Sequence, residues 1–210
     1  FCILAQITFS SPTLEKKLND ELSIINEKSI ILPLGKVKIT KKISSILIIL
    51  RMNTEVEIWD QNKKRLFEQP KIEYSLRSIN SLVNTINFCQ NKYPNLSIKT
   101  IIINDNSNEE NLSRIKKLIN SKDISVLNLD HKKFEEIIKP QKTRETFSNL
   151  ASLMQSFEIG KDQGNDLVFF VEDDYLHFEP MLEEMVASYQ RISSQIGKDI
   201  FMCPTDYPYL

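Results

Sequence analysis

The stretch DLVFFVEDDYLHFEP, residues 166–180, places three adjacent carboxylates directly after an apolar run. Leu167 to Val171 are five consecutive apolar residues, which is the pattern of a parallel strand covered on both faces. Glu172, Asp173 and Asp174 follow side by side. Neighbouring carboxylates repel one another, and burial adds to the cost, so they stay ionised only where a cation or hydrogen-bond donors compensate. The stretch therefore predicts a buried strand with a positively charged partner at its end.

From Ile43 onward the chain alternates strands and helices. Short β-branched runs are separated by longer segments in which apolar residues recur every three or four positions. Strands are predicted at 43–50, 97–105, 124–129, 166–174 and 199–203, and helices at 73–90, 108–121, 145–164 and 179–197. Strands separated by helices imply right-handed crossovers. The predicted fold class is α/β, a mainly parallel sheet with helices on both faces.

Two of the predicted helices carry an apolar stripe. The first stripe contains Leu76, Ile79, Leu82, Val83 and Ile86, and the second contains Phe147, Leu150, Leu153, Met154 and Phe157. Both stripes recur at the helical period, so we expect them to pack against the sheet.

Two domains are predicted. Residues 1–42 are weakly patterned, with a helix near 13–27, and form a lead-in of unknown role. Residues 43–210 contain the regular alternation. The chain does not begin with Met and stops soon after an apolar run, so we expect sequence to be missing at both ends, with residues 43–210 truncated at the C-terminus.

Composition restricts the class of partner and the compartment. The formal charge is −1, from 27 basic and 28 acidic residues, which gives no electrostatic case for nucleic acid. No run approaches the roughly 20 apolar residues of a membrane span, so no transmembrane segment is predicted. Three scattered cysteines are compatible with a reducing compartment, and we expect a cytoplasmic protein, free or at the cytoplasmic face of a membrane. The two histidines, His131 and His177, are expected to be surface or loop residues.

Acidic residues end two of the predicted strands. Ligands bind outside the carboxyl ends of parallel strands, where Asn104 and Asp105 follow one strand and residues 172–174 another. Asp105 is open to two interpretations, helix capping and ligand binding, whereas Pro180 delays the last helix too far for capping to explain residues 172–174. Mg²⁺ or Mn²⁺ takes one or two carboxylates together with substrate phosphates. Because no glycine-rich phosphate loop is present, a metal is expected to meet the charge of a diphosphate.

The order of these motifs resembles a known family. The segments ISSILIIL, SLRSINSLVNT, IKTIIINDNSNEEN and NLASLMQSFEIGKDQGNDLVFFVEDDYL together look like the nucleotide-sugar-binding half of family 2 glycosyltransferases with the GT-A fold. In that family a strand ends in an Asp-Asp-x-Ser-like motif that contacts the base, and a later strand ends in an Asp-x-Asp-like motif that holds a metal on the donor diphosphate. NDNSNEEN is similar to the first motif and VEDD to the second. The resemblance covers residues 43–205.

The resemblance implies nucleotide-sugar contacts and two metal ligands. The contacts are Asn104, Asp105, Asp173, Arg51, Asn53 and Arg144, and the ligands of Mn²⁺ or Mg²⁺ are Asp174 and Glu172. Asp105 is expected at the nucleobase or ribose, Asp173 at the ribose or sugar, and Arg144 facing the pyrophosphate, although a solvated charge at the start of a helix remains the alternative for Arg144. Asp174 is expected to bind the metal directly. No catalytic residue is assigned, because the general base is expected beyond Leu210.

The implied function is metal-dependent glycosyl transfer with inversion. The donor would be a nucleotide-diphosphate sugar, with a UDP-sugar as the first choice, and the acceptor a hydroxyl of a glycan, lipid or protein. The loop at 51–72 is longer than the family's, so the base contacts of Arg51 and Asn53 stay open. Two alternatives also remain, namely a Mg²⁺-dependent phosphoryl-transfer enzyme or phosphatase, and a non-catalytic α/β binding module. The sequence identifies neither the sugar, the base, the acceptor nor the oligomeric state.

Overall fold

The computed structural model describes residues 35–55, 68–119, 123–139 and 143–203. Residues 43–183 form one compact unit, and residues 35–42 group with residues 184–203 in a second. The predicted helix near 13–27 and most of the predicted lead-in lie outside the described residues. The assignment of residues 1–42 and 43–210 to separate domains stays a prediction.

The larger unit is built on a parallel sheet. In the described residues the elements are β1 (Ser45–Met52), α1 (Lys71–Lys92), β2 (Ser97–Asn104), α2 (Glu109–Leu118), β3 (Ile124–Asn128), α3 (His131–Phe134), α4 (Arg144–Gln163), β4 (Leu167–Glu172) and α5 (Met181–Ile196). The strands pair in the order β3-β2-β1-β4, and every pairing is parallel. The predicted α/β class is confirmed, and the sheet is Rossmann-like.

The strand order reverses at β1. The chain passes from β1 to β2 and β3 on one side and returns at β4 on the other. The register pairs Arg51 with Glu172 and Met52 with Asn104, so three strands end at the same level. We call the residues at and just after these ends, together with the end of β3, the carboxyl edge. In open α/β sheets this edge, beside the reversal, is where ligands bind.

Strand β1 is the centre of the core. Ile48, Ile49 and Leu50 are fully buried, as expected for a central parallel strand covered on both faces. Leu47 and Ile49 belong to a cluster with Phe134 and other residues of the α3–α4 region. The alternate residues of β1 face the other side of the sheet, where right-handed crossovers place α1 and α2.

Helix α1 buries the predicted apolar face only in part. Ile79, Leu82 and Ile86 are buried, whereas Leu76 and Val83 are half-buried. The buried face also contains Ile72, Ser75, Ser78, Thr85 and Cys89. Two of these hydroxyls have partners in the segment after β4. Ser75 Oγ donates to Asp173 Oδ2 at 2.5 Å, and the backbone N–H of Leu182 donates to Thr85 Oγ1 at 3.0 Å, whereas Ser78 Oγ has no hydrogen-bond partner among the described residues.

Helix α4 approaches the sheet through small residues. Phe147, Leu150 and Met154 pack against the core as predicted, but Phe157 is 52% exposed, so its assignment to the core was wrong. The buried residues of this helix are Ser148, Ala151, Ser152, Ser156 and Gly160. A Cβ on Gly160 would lie 3.1 Å from Phe170 Cζ, which shows how closely helix and sheet approach. Large side chains do not fit where the helix lies this close to the sheet, so Phe147, Leu150 and Met154 pack beside the small residues.

The predicted strand at 199–203 is wrong. These residues have no regular secondary structure, and Phe201 is fully exposed. A short apolar run becomes a strand only when a neighbouring strand satisfies its backbone, and none of the described residues pairs with this segment.

Substitution of Gly164, which follows α4, tests the close packing there. An added Cβ would lie 2.4 Å from Val168 Cγ2 and 2.5 Å from the Gly160 carbonyl oxygen, which is backbone and cannot move aside. We expect Gly164→Ala to lower the free energy of unfolding by about 1–3 kcal/mol. Gly35→Ala, where an added Cβ would have no heavy atom of the described residues within 4 Å, is the control and should change the free energy of unfolding by less than about 1 kcal/mol. Urea unfolding measures the free energy of unfolding of both variants. An equal change in the two would contradict the close packing at Gly164.

Candidate functional site

Arg51 provides the cation that the sequence predicts beside Glu172. Its Nη2 forms an ion pair with Glu172 Oε1 across the β1–β4 pairing. Its Nη1 donates to Asn149 Oδ1 at 2.7 Å and to Ser152 Oγ at 3.2 Å, both on α4. The Arg51 side chain is only 17% exposed, so these charge-assisted bonds fix its orientation. The positive partner of the first carboxylate is therefore a side chain of the protein.

Asp173 is compensated separately, by α1. Its Oδ1 accepts from Lys71 Nζ at 2.9 Å, and its Oδ2 accepts from Ser75 Oγ at 2.5 Å. The side chain of Lys71 is 15% exposed, and that of Asp173 is 10% exposed. Burial raises the pKa of Asp173, and the neighbouring charge of Asp174 adds to this, while Lys71 and Ser75 oppose it. The second carboxylate is thus held inside the fold by a lysine and a hydroxyl.

Asp174 is the carboxylate that stays available to a ligand. It is exposed and makes no hydrogen bond or ion pair with any described residue. Glu172 also keeps one oxygen without a partner in the described part of the chain. Within that part, no three His, Cys, Asp or Glu side chains converge on one point where a metal could bind. Two carboxylates nevertheless suffice where substrate phosphates and water complete the shell of Mg²⁺.

The second polar cluster joins the ends of β1 and β2 to α3. Asn53 Nδ2 donates to Asp105 Oδ2 at 3.0 Å, and His131 Nε2 lies 3.0 Å from Asp105 Oδ1. The same His131 nitrogen lies 3.0 Å from Ser148 Oγ. Asp105 is 7% exposed, so its carboxylate is enclosed by these partners. His131, at 27% exposure, is the part of this cluster that extends further toward solvent.

Asn104 connects the ends of β2 and β3. Its Nδ2 donates to Asn128 Oδ1 at 3.1 Å, and its Oδ1 accepts from the backbone N–H of Ser107 at 3.2 Å. The residue is 3% exposed. Its side chain therefore holds the turn that carries Asp105, and both ends of the amide are already bonded.

The eight predicted site residues fall into two side-chain pairs and four residues outside them, which are Asn104, Arg144, Asp173 and Asp174. Arg51 lies with Glu172, and Asn53 lies with Asp105. Arg144 is exposed at the start of α4 and contacts none of the other predicted site residues in the described chain.

Two residues that contact the predicted site residues, His131 and Lys71, were not predicted from the sequence. His131 could have been noticed because it closely follows the third strand, as Asp105 follows the second. Nothing in the sequence distinguishes Lys71 from the chain's many other lysines, since its partner is 102 residues away.

Comparisons with known proteins provide no family for this chain. No protein-family model matches it. No curated protein and no solved structure matches it either. In the described residues, no helix is long and apolar enough to cross a membrane. Any function must therefore be argued from the geometry of the carboxyl edge.

Replacing Lys71 tests the buried pair with Asp173. In Lys71→Met the carboxylate stays buried without its cation, so we expect the free energy of unfolding near pH 7 to fall by about 3 kcal/mol. The folded-state pKa of Asp173 is raised, so the native state binds this proton at higher pH than the unfolded state does. The loss should therefore shrink as the pH is lowered through the folded-state pKa. Urea unfolding at two pH values measures the change.

Two controls accompany this variant. Lys92→Met removes a lysine that is 64% exposed and 3.8 Å from Glu183, so it should have little effect at either pH. The double variant Lys71→Met/Asp173→Asn should recover part of the stability, because the uncompensated charge is gone. A Lys71→Met protein as stable as wild type would show that the pair contributes nothing.

Proposed function

We propose that this chain contains the donor-binding part of a GT-A-type glycosyltransferase, which moves a sugar from a nucleotide diphosphate to an acceptor hydroxyl. One observation carries the proposal. Parallel strands in the order β3-β2-β1-β4 end at one level, and polar side chains from β1, β2 and β4 contact one another there. Such an edge, beside a reversal of strand order, is where α/β folds bind nucleotides.

The two polar clusters suit the two ends of a nucleotide. Neighbouring parallel strands lie about 4.8 Å apart, so the end of β2, which Asp105 follows, and the end of β4, which carries Glu172, are separated by roughly 10 Å. We place the base and ribose at the Asn53–Asp105 cluster and the diphosphate at Glu172 and Asp174. The proposed donor is a UDP-sugar, and a glycan, lipid or protein remains the proposed acceptor. A cytoplasmic location is part of the same proposal.

The residues at the end of β4 would hold Mn²⁺ or Mg²⁺. Asp174 supplies an exposed carboxylate, and Glu172 supplies the oxygen that Arg51 leaves unbonded. When bound, such an ion neutralises charge on the leaving diphosphate. Arg51 orients Glu172, while Lys71 and Ser75 hold Asp173 and thereby the backbone that carries Asp174. In this proposal Asp173 supports the loop, because both of its oxygens are already bonded within the fold.

A metal-independent binding module is the second candidate. Two of the three adjacent carboxylates already have a cation from the protein, so the carboxyl edge is stabilised without a divalent ion. That observation favours nucleotide binding without transfer. A phosphatase has less support, because its nucleophile would be the first acid of the triplet, and here this residue is Glu172 in an ion pair with Arg51.

Titration calorimetry with Asp174→Asn tests the proposal. UDP and a UDP-sugar are titrated into wild type with and without Mn²⁺, and then into the variant. We expect binding that requires Mn²⁺ and that weakens by about tenfold or more when this carboxylate is lost. Asp162→Asn is the control, because Asp162 is an exposed residue near the far end of α4 and should leave the affinity unchanged.

The outcomes separate the two candidates. Equal binding with and without Mn²⁺, unaffected by Asp174→Asn, would support the metal-independent module. If folded wild-type protein binds none of UDP, GDP, CDP and dTDP, the nucleotide-binding proposal is wrong.

A further inference from the structure

The Asp105 carboxylate has little capacity left for a ligand. Asn53 Nδ2 donates to its Oδ2, and His131 Nε2 lies 3.0 Å from its Oδ1. The side chain of Asp105 is 11% exposed, while that of His131 is 27% exposed. A base that binds at this end of the site would therefore meet the imidazole before it meets the carboxylate.

The carboxylate also determines which nitrogen of His131 carries the proton. A ring nitrogen 3.0 Å from a carboxylate oxygen must donate to it, since two acceptors would repel one another. In the neutral imidazole the other nitrogen, Nδ1, is then an acceptor. Nδ1 has no partner among the described residues, and it is not enclosed by them. The rings of His131 and Phe147 are stacked, with centroids 6.3 Å apart and planes inclined by 23°.

We propose that His131 recognises the nucleobase through Nδ1 and that Asp105 is a positioning residue that fixes the tautomer. The proposal rests on the donor site proposed above and adds the residue that selects the base. We place Nδ1 opposite the ring nitrogen N3 of the base, so it pairs with a base whose N3 carries a hydrogen, and the exocyclic N4–H₂ donor of cytosine lies to one side of it. Uracil presents N3–H, whereas cytosine presents an unprotonated N3, so the site should prefer uridine to cytidine nucleotides.

Replacing His131 tests the recognition directly. Binding of UDP and CDP is measured by calorimetry at pH 8 in the presence of Mg²⁺. We expect wild type to bind UDP about tenfold more tightly than CDP, the ratio typical of one matched against one mismatched hydrogen bond. In His131→Ala this ratio should fall close to one, because the acceptor is gone.

Replacing Asp105 tests the positioning role. In Asp105→Asn, the amide of Asn53 still donates, so the new side-chain oxygen must occupy the Oδ2 position and its NH₂ group must face His131. This NH₂ donates to Nε2, and the ring proton moves to Nδ1, which becomes a donor. The preference should then reverse in favour of CDP, which a merely structural role of Asp105 would not produce.

Asp130→Asn is the matched control. It makes the same chemical change next to His131, at the N-cap of α3, where Asn caps as well as Asp does. The ratio of UDP to CDP affinity should stay at the wild-type value in this variant.

The outcomes separate this inference from the function on which it rests. If wild type binds no nucleotide, both proposals are wrong. If wild type binds UDP but does not distinguish it from CDP, or if the ratio is unchanged in both His131→Ala and Asp105→Asn, base recognition by His131 is wrong and the donor site stands. Loss of the preference for UDP over CDP in His131→Ala, together with its reversal in Asp105→Asn, supports the inference.

Discussion

The pairing of β4 with β1 is the constraint on which the carboxyl edge depends, and polar contacts hold this pairing at both ends. At the carboxyl end, Arg51 and Glu172 form an ion pair across the two strands. At the amino end, Asp166 Oδ2 accepts from the backbone N–H groups of Ser44 at 2.6 Å and Ser45 at 3.0 Å. The bond from Ser44 is the main reason why the pKa of Asp166 is lowered. Slippage of β4 by one residue would break both contacts, so the register that aligns the site is determined by charge as well as by burial.

Charge compensation at the carboxyl edge comes from elements that are far apart in sequence. Arg51 on β1 neutralises Glu172, and Lys71 on α1 neutralises Asp173. Because each cation faces its own carboxylate, the edge is organised in the absence of any ligand. Among the described residues no cation pairs with Asp174, and an exposed carboxylate of this kind is the group that an incoming cation would meet first.

The sequence predicted the four strands of the sheet because each is an apolar, β-branched run with clear boundaries. The sequence could not predict which side chains compensate the acids, because a pair such as Lys71 and Asp173 leaves no periodic signal. The prediction that the apolar residues of α4 are buried was also wrong for Phe157. This helix lies so close to the sheet that small residues line the contact, and Phe157 is exposed.

The two clusters of the proposed site are joined through one segment of backbone. Arg51, near the end of β1, contacts the acidic end of β4, and Asn53, two residues later, contacts Asp105 at the end of β2. Alternate residues of an extended chain point to the same side, so one central strand directs both side chains and sets the distance between the clusters. β1 is also the most deeply buried strand. The spacing between the proposed base and diphosphate subsites is therefore a property of the sheet core, and a ligand that fits both clusters must match it.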